Sequence, residues 1–218
     1  EDAAHALGAK YKGKIIGNIS DYTCFSFQSI KHLTTGDGGM ISLKRNFDFN
    51  KCKRIRWFGI DRQKTKFNKL NVRNSEIFEL GYKYHMNDIA AAIGIGNLMN
   101  FKKNQKKRVR LANLYHENLK NITGLTQLKY KKNRQSAWWM YNFKVEKRDK
   151  FIKMLQKNNI EYSAVNTRID LNPLFKNSRA FLNNQNQFDK TQLSLSTDPN
   201  KSIKDAEKAI NVIKRGWV

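Results

Sequence analysis

An α/β protein in two parts is what the sequence predicts, and three observations predict it. Two β-prone apolar runs, Tyr22 to Phe27 and Gly39 to Leu43, flank a loop that returns through Gly36, Gly38 and Gly39. From Asn87 to Leu119 the apolar residues recur at helical spacing, with Ile89, Ile93 and Leu98, then Val109, Leu111 and Leu114. After Asn121-Ile122-Thr123-Gly124 breaks that helix, a second unit begins with an aromatic strand near 138–146, a helix over 148–158 and a strand near 160–166. The expected organisation is therefore a larger domain over 1–120, ending in its long connecting helix, and a smaller α/β domain over 121–218.

The remaining elements follow from local signals. Residues 3–8 read as a short helix after a strand end, and Lys12-Gly13-Lys14 as a turn. Phe47 to Phe58 has a helical pattern closed by Gly59, and residues 61–79, rich in Asn, Lys and Gln, read as a loop or lid. Asn87 or Asp88 caps the long helix. The Asn-rich stretch 183–187 reads as a loop. Ser202, with Asp205 three residues on, caps a final helix from Ile203 to Lys214. Both prolines, Pro173 and Pro199, fall in expected loops.

Composition bounds the function. Hydrophobic residues make up 39% of the 218 and aromatics 11%, enough for a packed core and against wholesale disorder. No apolar run reaches the length of a membrane span, and the mean hydropathy of -0.72 agrees. No secretory leader is visible, and Cys24 and Cys52 are too few for a disulfide framework or a cysteine-rich metal site. A reducing cytoplasm fits, and no metal is expected. The net charge of +24 pulls the other way, toward a basic nucleic-acid-binding module. The positives are spread along the chain, however, and the one dense run, Lys102 to Arg108, lies inside the helical pattern, where charge forms a solvated face. No zinc-finger spacing, RNP-like strand or basic-region heptad accompanies it, so no nucleic-acid partner is expected.

The chemistry concentrates in Cys24 to Met40, CFSFQSIKHLTTGDGGM. A strand ends at Ser26-Phe27, Lys31 follows five residues after Ser26, and the glycines turn the backbone tightly behind it. That arrangement fixes an amine in a crowded pocket instead of leaving it in solvent. At the start of the chain, Glu1-Asp2-Ala3-Ala4-His5-Ala6-Leu7-Gly8-Ala9 supplies a carboxylate and an imidazole, and Gly81-Tyr82-Lys83-Tyr84-His85-Met86-Asn87-Asp88 leads into the long helix. These three blocks resemble those of the DegT/StrS-type sugar aminotransferases, which use pyridoxal phosphate. The aromatic segment 137–145 resembles the opening of that family's small domain, while Thr167-Arg168-Ile169-Asp170 and 193–196 match its later segments more loosely.

The resemblance implies a fold: the aspartate-aminotransferase-like type I fold of pyridoxal phosphate enzymes, with part of the large domain's mixed sheet and the small C-terminal domain present. Because Glu1 falls inside a motif, the chain is expected to be the C-terminal portion of a longer protein. The resemblance also implies roles. Lys31 is the Schiff-base lysine and proton shuttle, and Asp2 meets the cofactor's pyridine nitrogen, where a carboxylate keeps the ring an electron sink. His5 stands beside the ring hydroxyl where many members carry glutamine, and Ser26 holds the phosphate. Lys83, in place of the usual asparagine, reaches the phosphate of a partner subunit in a homodimer with shared sites. Arg168 is a candidate for the substrate. The implied reaction moves an amino group, with glutamate as donor, to a nucleotide-linked keto-deoxysugar in surface polysaccharide synthesis. A non-catalytic member of the fold is the competing expectation. A related branch with histidine for the lysine carries out dehydration, and Lys31 argues against it.

Overall fold

The structure, a computed structural model, describes residues 1–166, 168–178 and 181–217. It divides into two compact units, Glu1–Phe101 and Lys102–Val218. The division falls within the long helix, whereas the sequence reading puts the change at residue 120. Thr167, grouped above with Arg168, lies outside the described residues.

In the first unit the chain opens with an extended segment laid parallel to Cys24, then turns through two short strands, β1 (Lys10–Tyr11) and β2 (Lys14–Ile15), paired across the Lys12-Gly13 turn. Residues 3–8 do not form the expected helix. Ala6 N–H donates to the Ala3 carbonyl and Ala9 N–H to that of Ala6, both 2.9 Å, which are single i→i+3 turns, and Gly8 breaks off at a φ of 88°. Strand β3 (Tyr22–Ser26) pairs antiparallel with β4 (Gly39–Leu43), from Tyr22 opposite Leu43 to Ser26 opposite Gly39. The period-2 alternation of β3 is visible in its burial: Thr23 and Phe25 face inward while Tyr22 and Cys24 face out. Phe25 joins Ala3, Phe27 and Leu33 in a small core, against which Ala6, Leu7, Ile16, Met86 and Phe101 pack.

Helix α1 (Asn46–Ile55) ends three residues before the expected Phe58. Phe58 and Gly59 take positive φ values of 54° and 74°, and Gly59 N–H closes the helix end on the Arg54 carbonyl at 3.0 Å. A Cβ on Gly59 would lie 2.1 Å from the Glu79 carbonyl oxygen, so only glycine allows the returning chain this close. The 61–79 segment is irregular apart from a tiny hairpin of β5 (Lys66–Phe67) and β6 (Arg73–Asn74).

Helix α2 (Asp88–Asn118) runs 31 residues. Asn87 caps it, its Oδ1 accepting the Ala90 N–H at 2.8 Å. Its buried residues are Arg108, Leu111, Ala112 and Tyr115, all in its second half. Ile89, Ile95, Leu98 and Met99 in its first half are exposed, Met99 by 83%. The basic run is mostly a solvated face, as expected, but Arg108 departs from it and is only 7% exposed.

The second unit contains β7 (Leu125–Gln127), β8 (Arg134–Gln135), β9 (Met140–Val145), α3 (Arg148–Lys157), β10 (Tyr162–Ser163), two short 3-10 turns, α4 (Asn183–Thr191), β11 (Gln192–Ser196) and α5 (Ile203–Lys214). Its sheet has the order β10-β11-β9-β7, antiparallel throughout. Tyr141, Phe143 and Val145 alternate inward along β9. They pack with Phe151 and Leu155 of α3, Leu111 and Tyr115 of α2, and Ala209, Ile210 and Ile213 of α5. Trp217 sets its ring edge-to-face on Phe151 at 4.7 Å and donates its Nε1–H to the Glu146 carbonyl at 2.9 Å. Ser202 caps α5 through a reciprocal pair, Asp205 N–H to Ser202 Oγ at 3.1 Å and Ser202 N–H to Asp205 Oδ2 at 3.0 Å. The Asn-rich stretch 183–187, expected as a loop, is the first half of α4. Among the described residues no helix is long and apolar enough to cross a membrane.

Candidate active site

The site is built around one end of β3. Cys24 N–H donates to the Glu1 carbonyl at 2.9 Å and Ala3 N–H to the Cys24 carbonyl at 2.8 Å, so Asp2 is drawn in as an extra extended segment beside the strand. The Asp2 carboxylate accepts the Ala4 N–H at 3.0 Å through Oδ1. Period 2 puts Cys24 and Ser26 on the face away from Thr23 and Phe25. Cys24 and Ser26 line an open cleft with Glu1, Asp2, Ala4 and part of Phe25. Beside it, Glu1 is held in place by the Ser20 hydroxyl at 3.0 Å and the Thr23 hydroxyl at 3.4 Å.

The loop that carries Lys31 is folded tightly about Phe27. Phe27 N–H donates to the Gly38 carbonyl at 2.8 Å, Thr35 N–H to the Phe27 carbonyl at 2.9 Å, and Lys31 N–H to the Gln28 carbonyl at 3.0 Å. The Gln28 N–H reaches Ser26 Oγ at 3.4 Å. Gly36 holds a φ of 82°, and a Cβ on Gly39 would stand 2.8 Å from the Phe25 carbonyl oxygen. The glycines read in the sequence thus serve a positive φ and a close backbone approach. Within this frame Lys31 Nζ lies 2.5 Å from His5 Nε2. Partial desolvation of the ring, then the charge of Lys31, hold the His5 pKa below its ordinary value, with Asp2 pulling the other way.

The other sequence candidates stand elsewhere. Lys83 is exposed on a segment zipped to the end of α1: Trp57 and Lys83 form an antiparallel bridge, with Phe58 N–H to the Tyr82 carbonyl at 3.1 Å and Tyr84 N–H to that of Arg56 at 2.9 Å. His85 packs its ring against Trp57, centroids 4.0 Å apart. Arg168 belongs to the second unit. Its Nε–H donates to Asp170 Oδ1 at 2.9 Å, and its terminal nitrogens reach Asp170 Oδ2 and Asn186 Oδ1, with Asp189 4.0 Å away. Sequence reasoning overlooked Cys24 as part of the cleft, although the alternation that pairs it with Ser26 was there to read.

These residues fit pyridoxal phosphate. An amine against an imidazole, and a carboxylate and a hydroxyl lining an open cleft at one strand end, are the donor set such a cofactor needs.

The comparisons with known proteins agree. Residues 1–214 match the DegT/DnrJ/EryC1/StrS aminotransferase family. An uncharacterized protein of Methanocaldococcus jannaschii is 36% identical over 226 residues, covering 99% of this chain and 58% of that protein. The UDP-4-amino-4,6-dideoxy-N-acetyl-beta-L-altrosamine transaminase of Campylobacter jejuni is 27% identical, covering 95% of the chain and 55% of that enzyme. Among solved structures, a sugar aminotransferase of Micromonospora echinospora superposes with a TM-score of 0.93 at 28% identity, over 100% of this chain and 58% of its own. The chain belongs to the DegT/DnrJ/EryC1/StrS aminotransferase family, and its fold is the type I fold of pyridoxal phosphate enzymes. It spans less than two thirds of the length of these relatives.

Proposed function

We propose that the complete protein is a pyridoxal phosphate-dependent aminotransferase that moves an amino group from glutamate to the keto carbon of a nucleotide-linked deoxysugar, in the cytoplasm, for surface polysaccharide synthesis. The observation that carries this reading is the Lys31–His5 contact, together with the cleft that Asp2 and Ser26 line at one end of β3. Sequence relatives named as nucleotide-sugar transaminases support it.

In this reading Lys31 would hold the cofactor through its amine, and its Nζ would carry the proton that the reaction moves. Asp2 would hold the ring nitrogen, Ser26 the phosphate and His5 the ring hydroxyl. The cofactor supplies the electron sink that lets a carbon–hydrogen bond beside nitrogen be broken. The homodimer enters the proposal through exposed apolar surface: Ile89, Leu98 and Met99 on α2, with Phe47, Phe78 and Leu80 of the same unit, are uncovered among the described residues, more than an isolated subunit usually leaves bare. Lys83 then serves the partner's phosphate. Arg168, already bound by Asp170 and Asn186, meets substrate only by exchanging those partners.

The test is turnover. The complete protein loaded with pyridoxal phosphate should convert a nucleotide-linked 4-keto-6-deoxysugar to its amino sugar in the presence of glutamate, with 2-oxoglutarate formed in equal amount. Absence of conversion across keto-sugars of both uridine and guanosine nucleotides would refute the proposal.

A further inference from the structure

Two basic nitrogens 2.5 Å apart constrain their protons. If Lys31 were an ammonium and His5 an imidazolium, an N–H on each side would point at the other with nothing between to accept it, and like charges would meet at hydrogen-bond distance. The contact therefore holds one shared proton: one nitrogen donates and the other presents a lone pair. The charged groups facing His5 are Asp2, on its own segment, and Lys31, across on the lysine loop. Partial burial and Lys31 outweigh Asp2 and lower the imidazole's pKa, so the ring is the neutral member near neutral pH. Its Nε2 is then the acceptor, and the ring proton sits on Nδ1.

We propose that His5 is the proton acceptor that releases Lys31 as a free amine when the enzyme takes up its cofactor. The inference rests on the functional reading above and adds to it a role for His5 before any cofactor is present. In the step, one N–H bond at Nζ breaks and one N–H bond at Nε2 forms. Lysine loses its positive charge and keeps a lone pair for attack on an aldehyde, and the imidazole gains the charge. Nε2 then carries a hydrogen and has become a donor, as a ring oxygen beside it would require. Glutamine, expected at this position in many family members, can accept a hydrogen bond from the ammonium through its oxygen but cannot take the proton. The pair thus makes His5 an acid–base group as well as a contact. It acts on cofactor through Lys31, so at this stage it is a positioning residue.

Two measurements on the complete protein, stripped of cofactor, test this. The first follows the rate of pyridoxal phosphate uptake against pH by its absorbance, in the wild type and in His5→Gln. His5 belongs to neither hydrophobic core, so the substitution leaves both intact. The wild-type rate should fall as pH drops through the histidine's pKa and level off above it. In H5Q uptake near pH 7.5 should be slower by about 100-fold or more, the low end for loss of a positioned proton acceptor, and the fall through the histidine's pKa should be gone. Equal rates with the same profile in both proteins would overturn the proposal. The second measurement reads the His5 ring nitrogens by NMR, without cofactor and without any substitution at His5. It should show a pKa below 6.5 with the neutral proton on Nδ1, and the pKa should rise in Lys31→Met. A neutral ring protonated on Nε2, or a pKa indifferent to Lys31, would equally overturn it. Failure of the wild type to bind pyridoxal phosphate at any pH would instead sink the functional reading, and the pair's role with it.

Discussion

Asp2 and Cys24 lie side by side in a parallel bridge, with hydrogen bonds from Ala3 N–H to the Cys24 carbonyl and from Cys24 N–H to the Glu1 carbonyl. The backbone on either side of Asp2 is thereby fixed to β3, and the side chain shares an open face with Ser26. Replacement by asparagine keeps the shape and the acceptor for the Ala4 N–H. Asp2→Asn is accordingly expected to fold and bind pyridoxal phosphate, yet to lose turnover by about 100-fold or more, because the charge proposed to hold the ring nitrogen is gone. The loss should fall on kcat more than on KM. Steady-state kinetics check it, and full activity would reduce Asp2 to a local backbone cap.

The dimer is tested by complementation. Mixing Lys31→Ala subunits with Lys83→Glu subunits in equal amounts should restore one site in each hybrid dimer, about a quarter of all sites or fewer, if Lys83 serves the partner's phosphate. Sites built from one chain would show no restoration.

The second unit's stability should depend on its aromatic centre. Phe151 is fully buried between Phe143 and Trp217. Phe151→Ala is expected to cost about 3–5 kcal/mol in denaturant unfolding. Ser202→Ala, which removes the cap of α5, should cost about 1 kcal/mol.

The same cap predicts a pH dependence. Hydrogen bonds from the Ser202 hydroxyl and backbone N–H hold the Asp205 carboxyl below its ordinary range. A depressed folded-state pKa stabilises the fold at pH above the unfolded value, and this contribution is lost as pH falls through the folded value. The stability difference between wild type and Asp205→Asn should therefore be present at pH 7 and shrink below about pH 4. A difference unchanged down to pH 2 would show that the carboxylate's charge plays no part.

The basic run is expected to be a surface without a nucleic-acid partner. Lys102, Lys103, Lys106 and Lys107 are exposed along α2, but no recognition element accompanies them. A gel shift at about 0.15 M salt should show at most weak binding that collapses as salt is raised. Tight, sequence-selective binding would contradict this.

Much of the site was legible because its signals are local. Strand, serine, lysine and glycine return lie within the seventeen residues of one motif, and the φ of Gly36 and the close approach at Gly39 explain those glycines. Helix α5 was legible to the residue, since Ser202 and Asp205 mark its start. The Lys31–His5 contact was not, because it joins positions 26 apart and depends on how the first segment docks on β3. Helix α4 was missed because its run of asparagines favours loops and caps. In the structure Arg168 holds Asn186 and Arg148 holds the Asp189 carbonyl, tertiary contacts that override local propensity. Strand β11 alternates polar and apolar residues as a half-exposed strand would, yet it is buried from Gln192 to Leu195 because it lies between β10 and β9, a placement no local pattern encodes.

The central claim is that Lys31 is the residue that bears the cofactor. Borohydride reduction of the complete, pyridoxal phosphate-loaded protein, followed by peptide mapping, tests it most directly. The account predicts a pyridoxyl group fixed on Lys31 and none on any lysine of the Lys31→Ala protein. Label on a different lysine, or no label at Lys31 in a protein that binds the cofactor, would contradict it.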